Sequence, residues 1–165
     1  MDRQHGVTLI ELLISLTILA TLIGFSAGSW RTVISRNQLA ANSNQIIGLI
    51  RLARSEAVGK APVLICARGS DCRKFGSTNG LSAILDYNNN GIWDSDDREI
   101  AHLDFGPETQ VLWRSFRNQP HLRLDVRGTV YYQNGHFMLC RGDQGQKVIV
   151  SWIGKLRSER HPPSC

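Results

Sequence analysis

The stretch "GVTLIELLISLTILATLIGFSAG", residues 6–28, decides how the rest of the chain is read. Val7 to Gly28 is 22 residues of mostly apolar sequence, and about 20 such residues span a bilayer as a helix. A polar leader, "MDRQHG", precedes it. The exception inside the apolar run is Glu11. An ionisable group within a membrane span costs about 2.5–3.5 kcal/mol on insertion scales and calls for a partner. A cleaved secretory signal is the competing reading, with small residues Ser26 and Gly28 near its end. Apolar cores of signal peptides run only about 7–15 residues, and an acid suits them poorly.

The remaining sequence describes an exported domain. The chain has 165 residues, enough for one domain of ordinary size with an appendage, and a formal net charge of +5. The charge is polarised. Between Asp86 and Glu108 there are seven acids and one base, net −6; from Leu112 to the end there are nine bases and three acids, net +6. Such a chain offers an anion one surface to seek and another to avoid. Four cysteines, Cys66, Cys72, Cys140 and Cys165, do not have zinc spacing, and three disulfide pairings are open to them. The pairing expected is Cys66–Cys72 with Cys140–Cys165, the second tying the end of the chain to a strand.

After the apolar run, Leu39, Ile46, Ile50, Ala53 and Ala57 recur seven, four, three and four residues apart. That is one apolar stripe on a helix of period 3.6. One long helix is expected over about 7–58, ended by Gly59, with 7–28 as its membrane half and 29–58 as its amphipathic half. The segments 61–67, 80–87, 111–116, 122–126, 129–133, 136–140 and 147–153 are short β-branched or aromatic runs and read as strands. Asn134-Gly135 predicts a tight hairpin turn between two of them. The fold class expected is α+β: a β-rich globular domain over 59–153, on antiparallel sheets, followed by a basic tail, 154–165.

The N-terminal motif resembles that of type IV pilins and type II secretion pseudopilins, whose leader and helix start read G-F-T-L-I-E. Here the match is Gly6-Val7-Thr8-Leu9-Ile10-Glu11, departing at Val7. The resemblance implies a lollipop-shaped subunit, cut after Gly6 by prepilin peptidase and N-methylated at Val7. It also implies that Glu11 meets the N-terminal amine of a neighbouring pilin, an ion pair that gives the buried acid its reason. "LIRLARSEAVGKAPVLIC" (49–66) and "LDYNNNGIWDSDDREI" (85–100) are similar to segments of the GspH/FimT class of minor pilins and pseudopilins. In the FimT branch, which serves DNA uptake in natural transformation, the closing motif is G-R-x-R. Gly154 matches its Gly, Lys155 takes its first Arg, and Arg157 its second. The implied partners are DNA, held without sequence preference, other pilins of a type IV pilus, and the inner membrane before assembly, with the domain in the periplasm or the extracellular fibre.

The residues offer three candidate sites. Lys155, Arg157 and Arg160 with Gly154, extended by Arg141 and Lys147, suit phosphate binding, which needs cationic donors and no base code. Asp86, Asn88, Asn90, Asp94 and Asp97 follow the calcium-loop spacing D-x-N-x-N-G, but without the usual Glu at position 12 or flanking helices. The stretch is read as a surface loop carrying the acidic face, and no cofactor is expected. The five histidines show no metal spacing, and no nucleophile–base arrangement stands out. The chain is read as a non-enzyme, with a purely structural GspH-like pseudopilin of type II secretion as the alternative.

Overall fold

A computed structural model describes residues 8–130 and 133–161, leaving the side chains of 25–29 and 161 outside the described set. Two compact units emerge, one ending at Ser35 and one beginning at Arg36. Helix α1, Leu9–Ala57, contributes to both.

In the first unit the sequence dictates a well-capped helix. The Thr8 hydroxyl accepts the backbone N–H of Glu11 at 3.4 Å, one half of the T-x-x-E capping box. Ser15, Thr17 and Thr21 donate their hydroxyls to carbonyls three residues back, each at 2.8 Å. Their polar groups are thereby satisfied within the helix and cost little in apolar surroundings. Leu9, Ile10, Leu12, Leu13, Ile14, Leu16, Ile18, Leu19, Leu22 and Ile23 are all exposed. Among the described residues no helix is long and apolar enough to cross a membrane. The expected 7–28 span includes Val7 and the side chains of 25–28, which lie outside those residues.

In the second unit α1 buries the expected stripe, Leu39, Ile46, Ile50, Ala53 and Ala57, and Leu49 joins it in the core. Gly59, with φ +71°, follows the helix and donates to the Val126 carbonyl at 3.2 Å, the positive-φ exit that favours glycine. Among the described residues eight strands follow: β1 Val63–Ala67, β2 Gly80–Leu85, β3 Arg98–Asp104, β4 Gln110–Ser115, β5 Leu122–Leu124, β6 Gly135–Arg141, β7 Gln144–Val150 and β8 Leu156–His161. They form two antiparallel sheets, ordered β3-β2-β1-β5 and β4-β6-β7-β8. The backbones of Thr78 and Val111 bridge at 3.1 and 2.6 Å. This is the α+β, pilin-like architecture that the sequence led us to expect.

The first sheet is buried on both faces at β1 and β2, which explains their unbroken apolar sequences. Val63, Ile65, Leu81, Ala83 and Leu85 face the main core. Leu64, Cys66, Cys72 and Ile84 form a second cluster under Trp93. The Cys66–Cys72 disulfide is formed; closing so short a loop is worth about 2 kcal/mol on chain entropy. Cys140 is also disulfide-bonded. Its expected partner, Cys165, lies outside the described residues.

Three expectations are corrected. Asn134-Gly135 is not a two-residue turn; Gly135 opens β6 opposite Ser115. A Cβ there would stand 2.5 Å from the Arg114 carbonyl oxygen and 2.7 Å from the Trp113 ring. The two-residue turn is Gly142-Asp143, joining Arg141 to Gln144, with Gly142 at φ +57° as a type II′ hairpin requires. The 129–133 run does not begin as a strand, and residues 131–132 lie outside the described set. The supposed tail contains β8, hydrogen-bonded along β7 from Val150–Leu156 to Gly145–His161.

Candidate nucleic-acid interface

Alternation divides the second sheet into two faces. Val111, Trp113, Phe137, Leu139, Val148 and Val150 point into the core. The residues between them point to the other face, where Met138 and Cys140 are buried but Arg114, Phe116 and Arg157 are exposed, and the register aligns them in rungs. Arg114 lies opposite His136, His136 opposite Ile149, and Ile149 opposite Arg157. One rung thus crosses four strands, about 14 Å at the usual interstrand spacing. The next level is Phe116, Asn134, Ser151 and Lys155: Phe116 N–H donates to the Asn134 carbonyl at 2.9 Å, and Ser151 N–H to the Lys155 carbonyl at 3.0 Å. On the other side of the rung Lys147 stands opposite Glu159.

This face is cationic. Arg114, Lys155 and Arg157 are exposed, and among the described residues Arg114 and Lys155 have no carboxylate partner. Arg157 meets Glu159 at 3.1 Å. An exposed pair of this kind contributes only about 0–1 kcal/mol, so a ligand anion displaces it cheaply.

Gly154 is buried and shapes the turn before β8. It has φ +75°, and its N–H donates to the Ser151 carbonyl at 2.8 Å, closing the turn that starts β8. Arg54, in the last turn of α1, donates Nη2 to the Gly154 carbonyl at 2.6 Å. A Cβ on Gly154 would overlap that guanidinium, and one on Gly128 would stand 2.7 Å from the Arg54 stem. Two glycines therefore make room for one arginine that ties the helix to the root of the cationic strand. Sequence reading missed Arg54; its one signal was a cation in the last helical turn.

The structure separates the other candidate cations. Arg160 projects from the opposite face of β8, where with Arg36, Asn37 and Gln146 it lines a cavity of about 420 Å³. It does not join Lys155 and Arg157. Arg141 sits at the far end of the sheet, ion-paired with Glu108 and 3.5 Å from the Thr109 hydroxyl. It lies at the opposite end of β6 from His136, so it does not extend the patch. Arg114, Phe116 and His136 take part instead; Arg114 and Phe116 alternate with buried residues in "VLWRSF", which was the available signal.

The acidic surface belongs to the other sheet. The loop after β2 folds on its own hydrogen bonds. Asp86, fully buried, accepts the N–H groups of Asn90 at 3.1 Å and Gly91 at 2.9 Å. Asp94 accepts the side-chain amides of Asn88 and Asn90, at 3.0 and 2.7 Å, and these bonds hold its carboxyl below the usual range. Asp97 accepts the N–H groups of Tyr87 and Asp94, at 3.0 and 3.2 Å, while burial pushes its carboxyl up. The oxygens of Asn88 and Asn90 accept the N–H groups of Asn90 and Ile92. The five calcium-pattern residues are thus brought together as a self-bonded loop. Among the described residues no cluster of three or more His, Cys, Asp or Glu is disposed to hold a metal.

The family described as type II transport protein GspH matches residues 42–154, more than half of the chain. The chain belongs to the GspH family. The prokaryotic N-terminal methylation motif matches residues 1–27, the stretch that includes Gly6, Val7 and Glu11. This GspH-family chain is therefore a prepilin-type protein, with pilin-like subunits as its partners and prepilin processing as its route. Such families are structural rather than enzymatic. Searches of curated proteins and of solved structures returned no match. The GspH match ends at Gly154, so β8 and its cations follow the stretch that carries the family.

Proposed function

We propose that this chain is a FimT-like minor pilin of a type IV pilus, and that it holds extracellular DNA without sequence preference during uptake in natural transformation. Before assembly it is anchored in the inner membrane by a single span. Prepilin peptidase cuts after Gly6, and Glu11 pairs with the amine of a neighbouring subunit in the fibre. The observation that carries the DNA reading is the outward face of the second sheet, where Arg114, Lys155 and Arg157 converge on one end with little carboxylate to neutralise them. Strand β8 carries Arg157, and a backbone bond from Ser151 holds Lys155 just before it, so binding them costs less ordering entropy than a free tail would.

Phosphate contacts made by three cations give weak, salt-sensitive binding, on the order of 10⁻⁴–10⁻⁶ M at physiological salt. The test uses the full chain in non-ionic detergent and a labelled duplex, followed by fluorescence anisotropy. Replacing Lys155 and Arg157 together by Gln is expected to weaken duplex binding roughly tenfold or more at low salt, without moving the thermal midpoint. Arg160→Gln, on the opposite face, is expected to bind like the parent. Equal binding by the double variant would overturn the assignment. The second reading, a structural pseudopilin of type II secretion, is favoured by the GspH match itself; it requires that neither parent nor variant bind DNA.

A further inference from the structure

Two large aromatic side chains stand in water at the same end of the cationic face. Phe116 is 81% exposed and Trp152 is 69% exposed. Together with Arg114, Asn134, His136 and Ile149 they line an open groove of about 520 Å³. Neither aromatic is there by accident of a loose loop end. Phe116 continues β4 by one residue, held by the 2.9 Å bond to Asn134. Trp152 follows Ser151 in the turn that Gly154 and Arg54 fix. The backbone, rather than packing, holds both rings outside the core.

The charge around the groove selects its occupant. Among the described residues no carboxylate lines it, while Arg114 lies within it, Arg157 borders it on β8 and Lys155 borders it just before β8. An apolar protein surface docking here would bury uncompensated cations, which costs several kcal/mol per ion. A polynucleotide supplies phosphates for the cations and flat π-faces for the rings. Duplex DNA hides those faces in its stack. An unpaired strand exposes them, and exposed aromatics beside a basic groove are what a sequence-tolerant single-strand site requires.

We infer that this groove binds the unpaired bases of single-stranded nucleic acid, with Phe116 and Trp152 as stacking platforms and Arg114, Lys155 and Arg157 on the phosphates. This rests on the nucleic-acid reading of the face and adds a strand preference to it. Trp152 is a ligand-contacting residue in this arrangement, and Asn134 is placed to meet a base edge.

The experiment compares a labelled fifteen-nucleotide oligothymidylate with a duplex of equal length, bound to the full chain in non-ionic detergent. The single strand is expected to bind at least tenfold tighter than the duplex, since each stacked base accounts for roughly that factor and the groove offers two rings. Phe116→Ala and Trp152→Ala are each expected to cost the single strand about tenfold and the duplex less than about twofold. Tryptophan emission of the parent is expected to be quenched by the oligomer, and to be quenched less in Trp152→Ala. Phe116→Leu separates stacking from simple apolar docking: it keeps the apolar bulk, loses the π-face, and is expected to behave like Phe116→Ala. If the leucine variant binds the single strand as the parent does, or if the aromatic variants leave both affinities unchanged, the groove is not a stacking site. Should duplex binding persist in that case, only this inference falls. Loss of binding to both probes by the parent chain would remove the nucleic-acid reading as well.

Discussion

Gly154→Ala tests the join between helix and cationic strand. Two costs follow from the structure. The backbone of Gly154 has φ +75°, a conformation that costs a residue with a Cβ roughly 1–2 kcal/mol. The new methyl would also take the space of the Arg54 guanidinium, which now donates to the Gly154 carbonyl at 2.6 Å. A hydrogen bond from a charged group is worth about 1.5–3 kcal/mol. Among the described residues Arg54 Nε has no hydrogen-bond partner, so the bond to Gly154 is the one a displaced guanidinium gives up. Together the expected loss is about 3 kcal/mol, taking the lower half of both ranges. The unit from Arg36 onward unfolds with an entropy near 2.1 cal/mol/K per residue, so the midpoint is expected to fall by about 10 °C. Gly142→Ala is the control. It has φ +57° and nothing within 4 Å of the added carbon, so only the backbone term remains, about 1 kcal/mol or about 4 °C. Far-ultraviolet circular dichroism melts of the full chain in detergent read both. Midpoints within about 2 °C of each other would show that Arg54 yields without cost and would refute the clamp.

Two further outcomes are expected. His121, buried with Nδ1 3.0 Å from the Cys72 carbonyl, has its pKa lowered by burial, against the upward pull of that hydrogen bond. Because the folded state takes up the proton less readily than the unfolded one, stability is complete above the ordinary value of about 6.5 and falls as pH drops below it, by at most about 1.4 kcal/mol one unit down. Melts at about pH 7.5 and 5.5 should show a smaller difference in His121→Gln than in the parent; equal differences would exclude His121 as the source. Mass spectrometry of the membrane-extracted protein is expected to give a methylated N-terminus at Val7, whereas a start at Ser29 would mean an ordinary signal peptide and remove the pilin assignment.

The parts that were legible in the sequence are those whose pattern is local. The T-x-x-E start and the stripe from Leu39 to Ala57 specify α1. β1 and β2 are recognisable because burial on both faces makes them apolar throughout. β3 "REIAHLD" and β8 "LRSERH" were missed for the converse reason. Both are edge strands whose exposed positions carry charges, a common defence of sheet edges, and charged alternation reads as loop or tail. The candidate site was half legible. Lys155 and Arg157 are close in sequence and carried the motif, but Arg114 and Phe116 join them only through the register of β4, β6, β7 and β8. Register is a non-local property that residue patterns do not encode at that range. The backbone role of Gly154 was not legible, because its neighbour Arg54 is a hundred residues away.

The most direct test is the salt dependence of duplex binding, measured by anisotropy between about 20 and 200 mM salt. Three phosphate contacts from Arg114, Lys155 and Arg157 give a slope of log K against log salt of about −2.7 for the parent, and the triple Gln variant is expected to approach zero. A triple variant that keeps the parent's slope would show that the DNA is held elsewhere, and the outward face of the second sheet would lose its assigned role.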